Sequence, residues 1–75
     1  MERLLEILED IRPDVDFKNE VGLMDDGILD SFDLVSIISE LNDEYEINIR
    51  VNELKPENFN SIEAIMKMVE KLRNI

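Results

Sequence analysis

The 75-residue chain predicts an all-α fold: an up-and-down four-helix bundle of three longer helices and one short one, with a long loop between the first and second helices. Three observations carry that expectation. Hydrophobic residues make up 44% of the chain and recur at helical spacing. There is no cysteine, so no disulfide or thiolate zinc site can hold together a domain this small, and nearly continuous helix is what remains. The one alternating stretch, Ile47, Ile49 and Val51 between Asn48, Arg50 and Asn52, has no partner strand and reads as an extended connector with one face on the core.

Each element follows from local chemistry. Residues Glu2 to Ile11 place Leu4, Leu5, Leu8 and Ile11 on one helical face. Arg12-Pro13 ends that helix, because a residue before proline is pushed out of the helical region. From Pro13 to Asp30 no period holds, and a connection of that length must pack by its own side chains or serve a function. Val15, Phe17, Val21, Leu23, Ile28 and Leu29 are suited to packing. A second helix from Ser31 to Tyr45 carries the stripe Leu34, Ile37, Ile38, Leu41 and Tyr45. Asp30 is its N-cap, and Asp33 three residues on completes a capping box with Asp in place of Glu. Glu44 and Glu46 oppose the dipole at its end. Pro56 starts a short helix to Phe59. The last helix spans Ser61 to Arg73, capped by Asn60 or Ser61, with Glu63 placed for a capping box from Asn60. Its stripe is Ile62, Ile65, Met66, Val69 and Leu72, and Lys67, Lys71 and Arg73 suit its C-terminal dipole. Met24, Met66 and Met68 are core or near-core filler. The whole of residues 1–75 reads as one domain.

Charge narrows the function. The chain holds 19 acids and 8 bases, a net charge of −11. That excludes nucleic acid and anionic membranes as partners and favours basic protein surfaces. Between Asn19 and Ile49 stand nine acids (Glu20, Asp25, Asp26, Asp30, Asp33, Glu40, Asp43, Glu44, Glu46) and no Lys or Arg. Without histidine or cysteine, the commonest general base, thiol nucleophile and transition-metal ligands are missing, and no paired carboxylates form a catalytic set; the chain is expected not to be an enzyme. Asp25, Asp26, Asp30 and Asp33 do not have EF-hand spacing around Gly27, so no metal site is assigned to them. No apolar run reaches membrane-spanning length, and Met1-Glu2-Arg3-Leu4-Leu5 lacks a signal peptide's form, which makes the cytoplasm the expected location.

Within the acidic block, Gly27-Ile28-Leu29-Asp30-Ser31-Phe32-Asp33-Leu34-Val35 places a hydroxyl at the start of an amphipathic helix, where backbone N–H groups and the dipole favour a phosphate. An Asp-Ser there is a plain helix cap or the attachment point of a phosphodiester-linked arm. The order of elements, with Asp30-Ser31 at mid-chain after a long loop, resembles the acyl carrier protein and peptidyl carrier protein superfamily over essentially the whole chain. The resemblance implies a monomeric, non-catalytic stand-alone carrier. Ser31 would be esterified with 4′-phosphopantetheine from coenzyme A by a phosphopantetheinyl transferase, and the arm's thiol would hold an acyl group as a thioester. Carried over residue by residue, the recognition face would be Asp30, Ser31, Phe32, Asp33, Val35, Ser36, Ser39, Asn42 and Asp43. It would be read by an acyl- or aminoacyl-loading ligase and by downstream transferases or synthases with basic patches. A fatty-acyl or polyketide cargo is the first expectation. Phe32, where fatty-acid carriers most often have leucine, and the polar Ser36, Ser39 and Asn42 keep an aminoacyl cargo open, since stand-alone D-alanyl and peptidyl carriers are similar in size and motif. The alternative from another class is an unmodified acidic interaction module.

Overall fold

Amphipathic faces dictate the arrangement. The computed structural model describes residues 2–73; the ends of the single domain expected over 1–75 lie outside the described residues. Helix α1 spans Glu2–Ile11, α2 Ser31–Tyr45, α3 Pro56–Phe59 and α4 Ile62–Arg73, with a 3₁₀ turn at Val51–Glu53 before α3. The fold is all-α, with no strand among the described residues. Helices α1 and α2 pack on each other, α4 packs on both, and α3 packs on α4. Two long-range ion pairs report the antiparallel direction of α1 and α2: Arg3 at the start of α1 meets Glu44 near the end of α2, and Arg12 just past α1 meets Asp33 in the first turn of α2.

The core comprises Leu4, Ile7 and Leu8 of α1, Ile37 and Leu41 of α2, Phe59 of α3, and Ile62, Ile65, Met68 and Val69 of α4. Phe17, Leu23 and Leu29 from the long loop and Ile49 from the connector join it. Leu5, Ile11, Val15, Met24, Ile28, Leu34, Ile38, Tyr45, Ile47, Met66 and Leu72 pack half-buried around it. The long loop thus behaves as part of the core wall.

Several expectations are corrected. Ile7, left out of the α1 stripe, is buried. Val21 is 75% exposed, because the chain bends there before entering the turn at residues 23–27, and only Leu23 of the two goes inward. Val51 is also exposed, because the connector coils into the 3₁₀ turn there and only Ile47 and Ile49 keep a face on the core. The buried member of that turn is Glu53, whose carboxylate accepts from Lys71 Nζ at 2.9 and 3.0 Å. At the start of α4, Ser61 Oγ accepts from Ala64 N–H at 3.1 Å, so Ser61 is the cap and the Asn60–Glu63 box does not form. Asn60 is committed elsewhere.

Candidate functional site

The site is built by anchoring the end of the long loop. Leu29 is buried immediately before Asp30, and the N–H groups of Ile28 and Leu29 both donate to Leu23 O at 3.0 Å. Gly27 takes the left-handed conformation, φ +70°, that closes this turn, with its N–H on Met24 O at 3.1 Å. Asn60, at the α3–α4 junction, pins the turn from below. Its Oδ1 accepts from the N–H groups of Met24 and Asp25 at 2.9 and 3.0 Å, and its backbone carbonyl accepts from Leu23 N–H at 2.9 Å. Its Nδ2 donates to the Asp25 carboxylate at 3.0 Å.

Asp30 then caps α2. Its Oδ1 accepts from Asp33 N–H at 2.9 Å, and Asp33 Oδ2 accepts from Asp30 N–H at 3.2 Å, the capping box the sequence predicts. A helix start has four N–H groups without intrahelical acceptors. The box takes those of Asp30 and Asp33, which leaves the N–H groups of Ser31 and Phe32 for an external acceptor. Ser31 is the first residue of α2, exposed, and its hydroxyl takes no part in the cap. A phosphodiester on that oxygen would lie beside two free donors at the positive end of a 15-residue helix, so the residues present fit a phosphopantetheine arm.

The residues expected on the recognition face divide into two groups. Phe32 is 84% exposed and Val35 66%, and Asp30, Ser36, Ser39 and Asp43 are also exposed. Apolar side chains held out in water beside an exposed hydroxyl suit a partner contact. Asp33 and Asn42 are half-buried, with side chains hydrogen-bonded within the fold. The Asp33 side chain is only 14% exposed, because it is held by the capping box and by Arg12. Asn42 Oδ1 accepts from Ile49 N–H at 2.9 Å and so fixes the connector after α2. No group of three or more metal-ligating side chains comes together among the described residues.

Sequence reading missed Arg12 and Asn60. Arg12 was visible as a cation at the C-terminal end of the first helix, directly before a proline; nothing in the linear chain pointed it at residue 33. Its guanidinium is held strongly protonated by the hydrogen bonds it donates to Asp14 and Asp33, and Arg12 in turn lowers the Asp14 carboxyl below its ordinary value.

Residues 1–69 match the family described as "Phosphopantetheine attachment site". The chain belongs to that family. As a phosphopantetheine carrier it is not an enzyme, and its prosthetic group is covalently bound phosphopantetheine. A family role of this kind implies encounters with a phosphopantetheinyl transferase and with ligases or transferases. Three relatives are named D-alanyl carrier proteins. That of Streptococcus sanguinis is 33% identical over 72 residues, covering 95% of this chain and 91% of that protein. That of Bacillus mycoides is 31% identical over 74 residues, covering 96% and 94%. That of Streptococcus uberis is 37% identical over 59 residues, covering 79% and 73%. These similarities favour the aminoacyl alternative over the fatty-acyl or polyketide cargo expected first. No helix among the described residues is long and apolar enough to cross a membrane.

Proposed function

We propose that this carrier bears its arm on Ser31 and conveys an aminoacyl group, D-alanyl in chemical class. The observation that carries the attachment site is the exposed Ser31 hydroxyl at a helix start whose capping box leaves the Ser31 and Phe32 N–H groups free. When bound, the arm supplies a terminal thiol that holds the aminoacyl group as a thioester. The work of the chain itself is to present the hydroxyl, to keep its surroundings rigid through Leu29, Asn60 and the cap, and to offer partners a readable face. That face is Asp30, Phe32, Val35, Ser36, Ser39 and Asp43, with Asp33 and Asn42 acting from inside by fixing the helix ends. Basic patches on the transferase and on a loading ligase complement it, and such encounters weaken as salt rises. The D-alanyl cargo is supported by the names of the relatives. The proposal places the protein in the cytoplasm, with the arm's donor, coenzyme A, and the transferase.

The test is intact mass after incubation with coenzyme A, magnesium and a broad-specificity phosphopantetheinyl transferase, for the native chain and for Ser31→Ala. One phosphopantetheine on the native chain and none on the variant is expected. Because the Ser31 hydroxyl is outside the cap, the variant should keep its stability within about 0.5 kcal/mol. Addition to Ser31→Ala refutes the site, and no addition to the native chain favours an unmodified acidic module. The loaded chain is then offered D-alanine or a fatty acid with the matching ligase; a fatty-acyl thioester alone would refute the cargo.

A further inference from the structure

We propose that Arg12 is a positioning residue for the Ser31 hydroxyl: it clamps the end of the long loop to the first turn of α2 and so sets how Ser31 faces a transferase. The inference rests on Ser31 being the attachment point.

The geometry is specific. Arg12 follows α1 directly, its N–H still on Leu8 O at 2.9 Å, and Pro13 then sends the chain away. The side chain is only 28% exposed. Nη1 donates to Ile28 O at 3.2 Å and to Asp33 Oδ2, while Nε and Nη2 grip Asp14 at 3.0 and 2.9 Å. One rigid fork therefore joins the end of α1, residue 28 of the loop and the first turn of α2. Asp33 Oδ2 is also the acceptor for Asp30 N–H. Asp30 and Ser31 thus lie in the short segment whose two flanks, Ile28 and Asp33, are held by the same guanidinium. The chain from Asn19 to Ile49 has no cation of its own, so the charge that answers Asp33 is brought from the end of α1.

Two consequences of losing the clamp differ in kind. The Ile28–Asp33 segment would keep its capping box but lose its external hold, so Ser31 would sample more orientations and meet the reacting phosphorus less often in line. A loss of folded protein would act otherwise. The carrier is the substrate in this reaction, and unfolded carrier only dilutes it, raising the apparent KM without changing kcat.

The experiment measures kcat and KM for the carrier in phosphopantetheine transfer from coenzyme A with magnesium. It compares the native chain with Arg12→Gln, Arg12→Lys and Asp33→Asn. Arg3→Gln, which breaks the exposed pair with Glu44 and makes the same charge change, is the control. Arg12→Gln should lower kcat about tenfold with KM no higher than native. Arg12→Lys should recover part of it, since lysine supplies the charge without the fork. Asp33→Asn should fall with Arg12→Gln, and adding it to Arg12→Gln should cost little more. Arg3→Gln should keep the native kcat. A native kcat in Arg12→Gln, or a loss confined to KM, overturns the proposal. If the native chain takes no arm, or Ser31→Ala takes one, it is the attachment site that fails, and the proposal falls with it. The grip itself is read without loading, by amide exchange at Asp33 and Leu34. Exchange should be faster in Arg12→Gln; unchanged exchange overturns the clamp whatever the kinetics.

Discussion

Glu46→Gly should stabilise this protein. Glu46 is the residue after α2 and the one non-glycine among the described residues with positive φ, at φ 53° and ψ 48°. Its N–H donates to Asn42 O, so the backbone there closes the helix in the left-handed form that glycine usually supplies. A side chain in that conformation costs about 1–2 kcal/mol. Glycine gives back about 0.5–1 kcal/mol through the freedom of the unfolded chain. Removing an acid from the negative end of the helix dipole adds about 0.3 kcal/mol. The net gain is about 1 kcal/mol, which in a domain of this size is a rise in Tm of about 4–8 °C. Thermal unfolding by far-UV circular dichroism reads it. Glu46→Ala is the partner variant: it removes the charge and keeps the Cβ, so its Tm should move by no more than about 2 °C. A glycine variant no more stable than the alanine variant would refute the assignment of strain to the Cβ. Loading of Ser31 should be untouched, because the change lies at the opposite end of α2.

Asn60→Ala removes the acceptor for Met24 and Asp25 N–H and should lower stability by about 1–2 kcal/mol, a fall in Tm of about 4–16 °C. Amide exchange at Met24 and Asp25 should quicken more than at Ile65, and equal acceleration everywhere would mean that Asn60 does not pin the loop locally. The single tyrosine, Tyr45, should titrate above its usual value of 10.0, raised by burial and then by Glu44 against the opposing Arg73 and Arg3. A folded pKa above the unfolded one means that Tyr45 favours the fold below about pH 10 and loses that contribution as pH rises through its folded pKa. Absorbance at about 295 nm, native against urea-unfolded, checks this, and coincident midpoints would contradict it.

Periodicity read the helices because each turns one apolar face to a common core. Leu4, Leu8, Ile37, Leu41, Ile65 and Val69 are all fully or nearly fully buried, as their spacing implies. The Asp30–Asp33 box was legible for a different reason: it closes within four residues, and local hydrogen bonds leave a local signature. Loop side chains were less legible. Phe17, Leu23 and Leu29 go inward while Val21 goes out, because the path around Gly22 and Gly27 decides direction, and no period describes that path. Asn60 and Ser61 are both good caps by residue type, and the sequence alone does not choose between them. The commitment of Asn60 to residues 35 and 36 places earlier in the chain is a tertiary fact. The family resemblance alone puts Asp33 and Asn42 on the recognition face; their long-range partners, Arg12 and Ile49, are visible only in the fold.

The two arginines of α1 and its end explain how an unbroken acidic block can sit beside a core. α1 runs antiparallel to α2 and delivers one cation to each end of it: Arg12 to Asp33 at the start and Arg3 to Glu44 near the finish. The pairs lie at the seam between the helices, where like charge would otherwise oppose packing. Glu44, unfavourable to the dipole by position, is answered there by Arg3 at 3.1 Å. What remains on the outward face of α2 and its cap is Asp30, Glu40 and Asp43, exposed and without a cation among the described residues. The internal cations therefore sort the acids of α2 into those that join it to α1 and those exposed to solvent, which the proposed function leaves for a partner. A basic surface approaching Ser31 meets Asp30 beside the hydroxyl, Phe32 and Val35 as apolar contacts, and Asp43 farther along the helix. If Ser31 bears the arm as proposed, a partner with spaced cations around an apolar centre would read distance and direction together from that pattern, with the hydroxyl at one end of it.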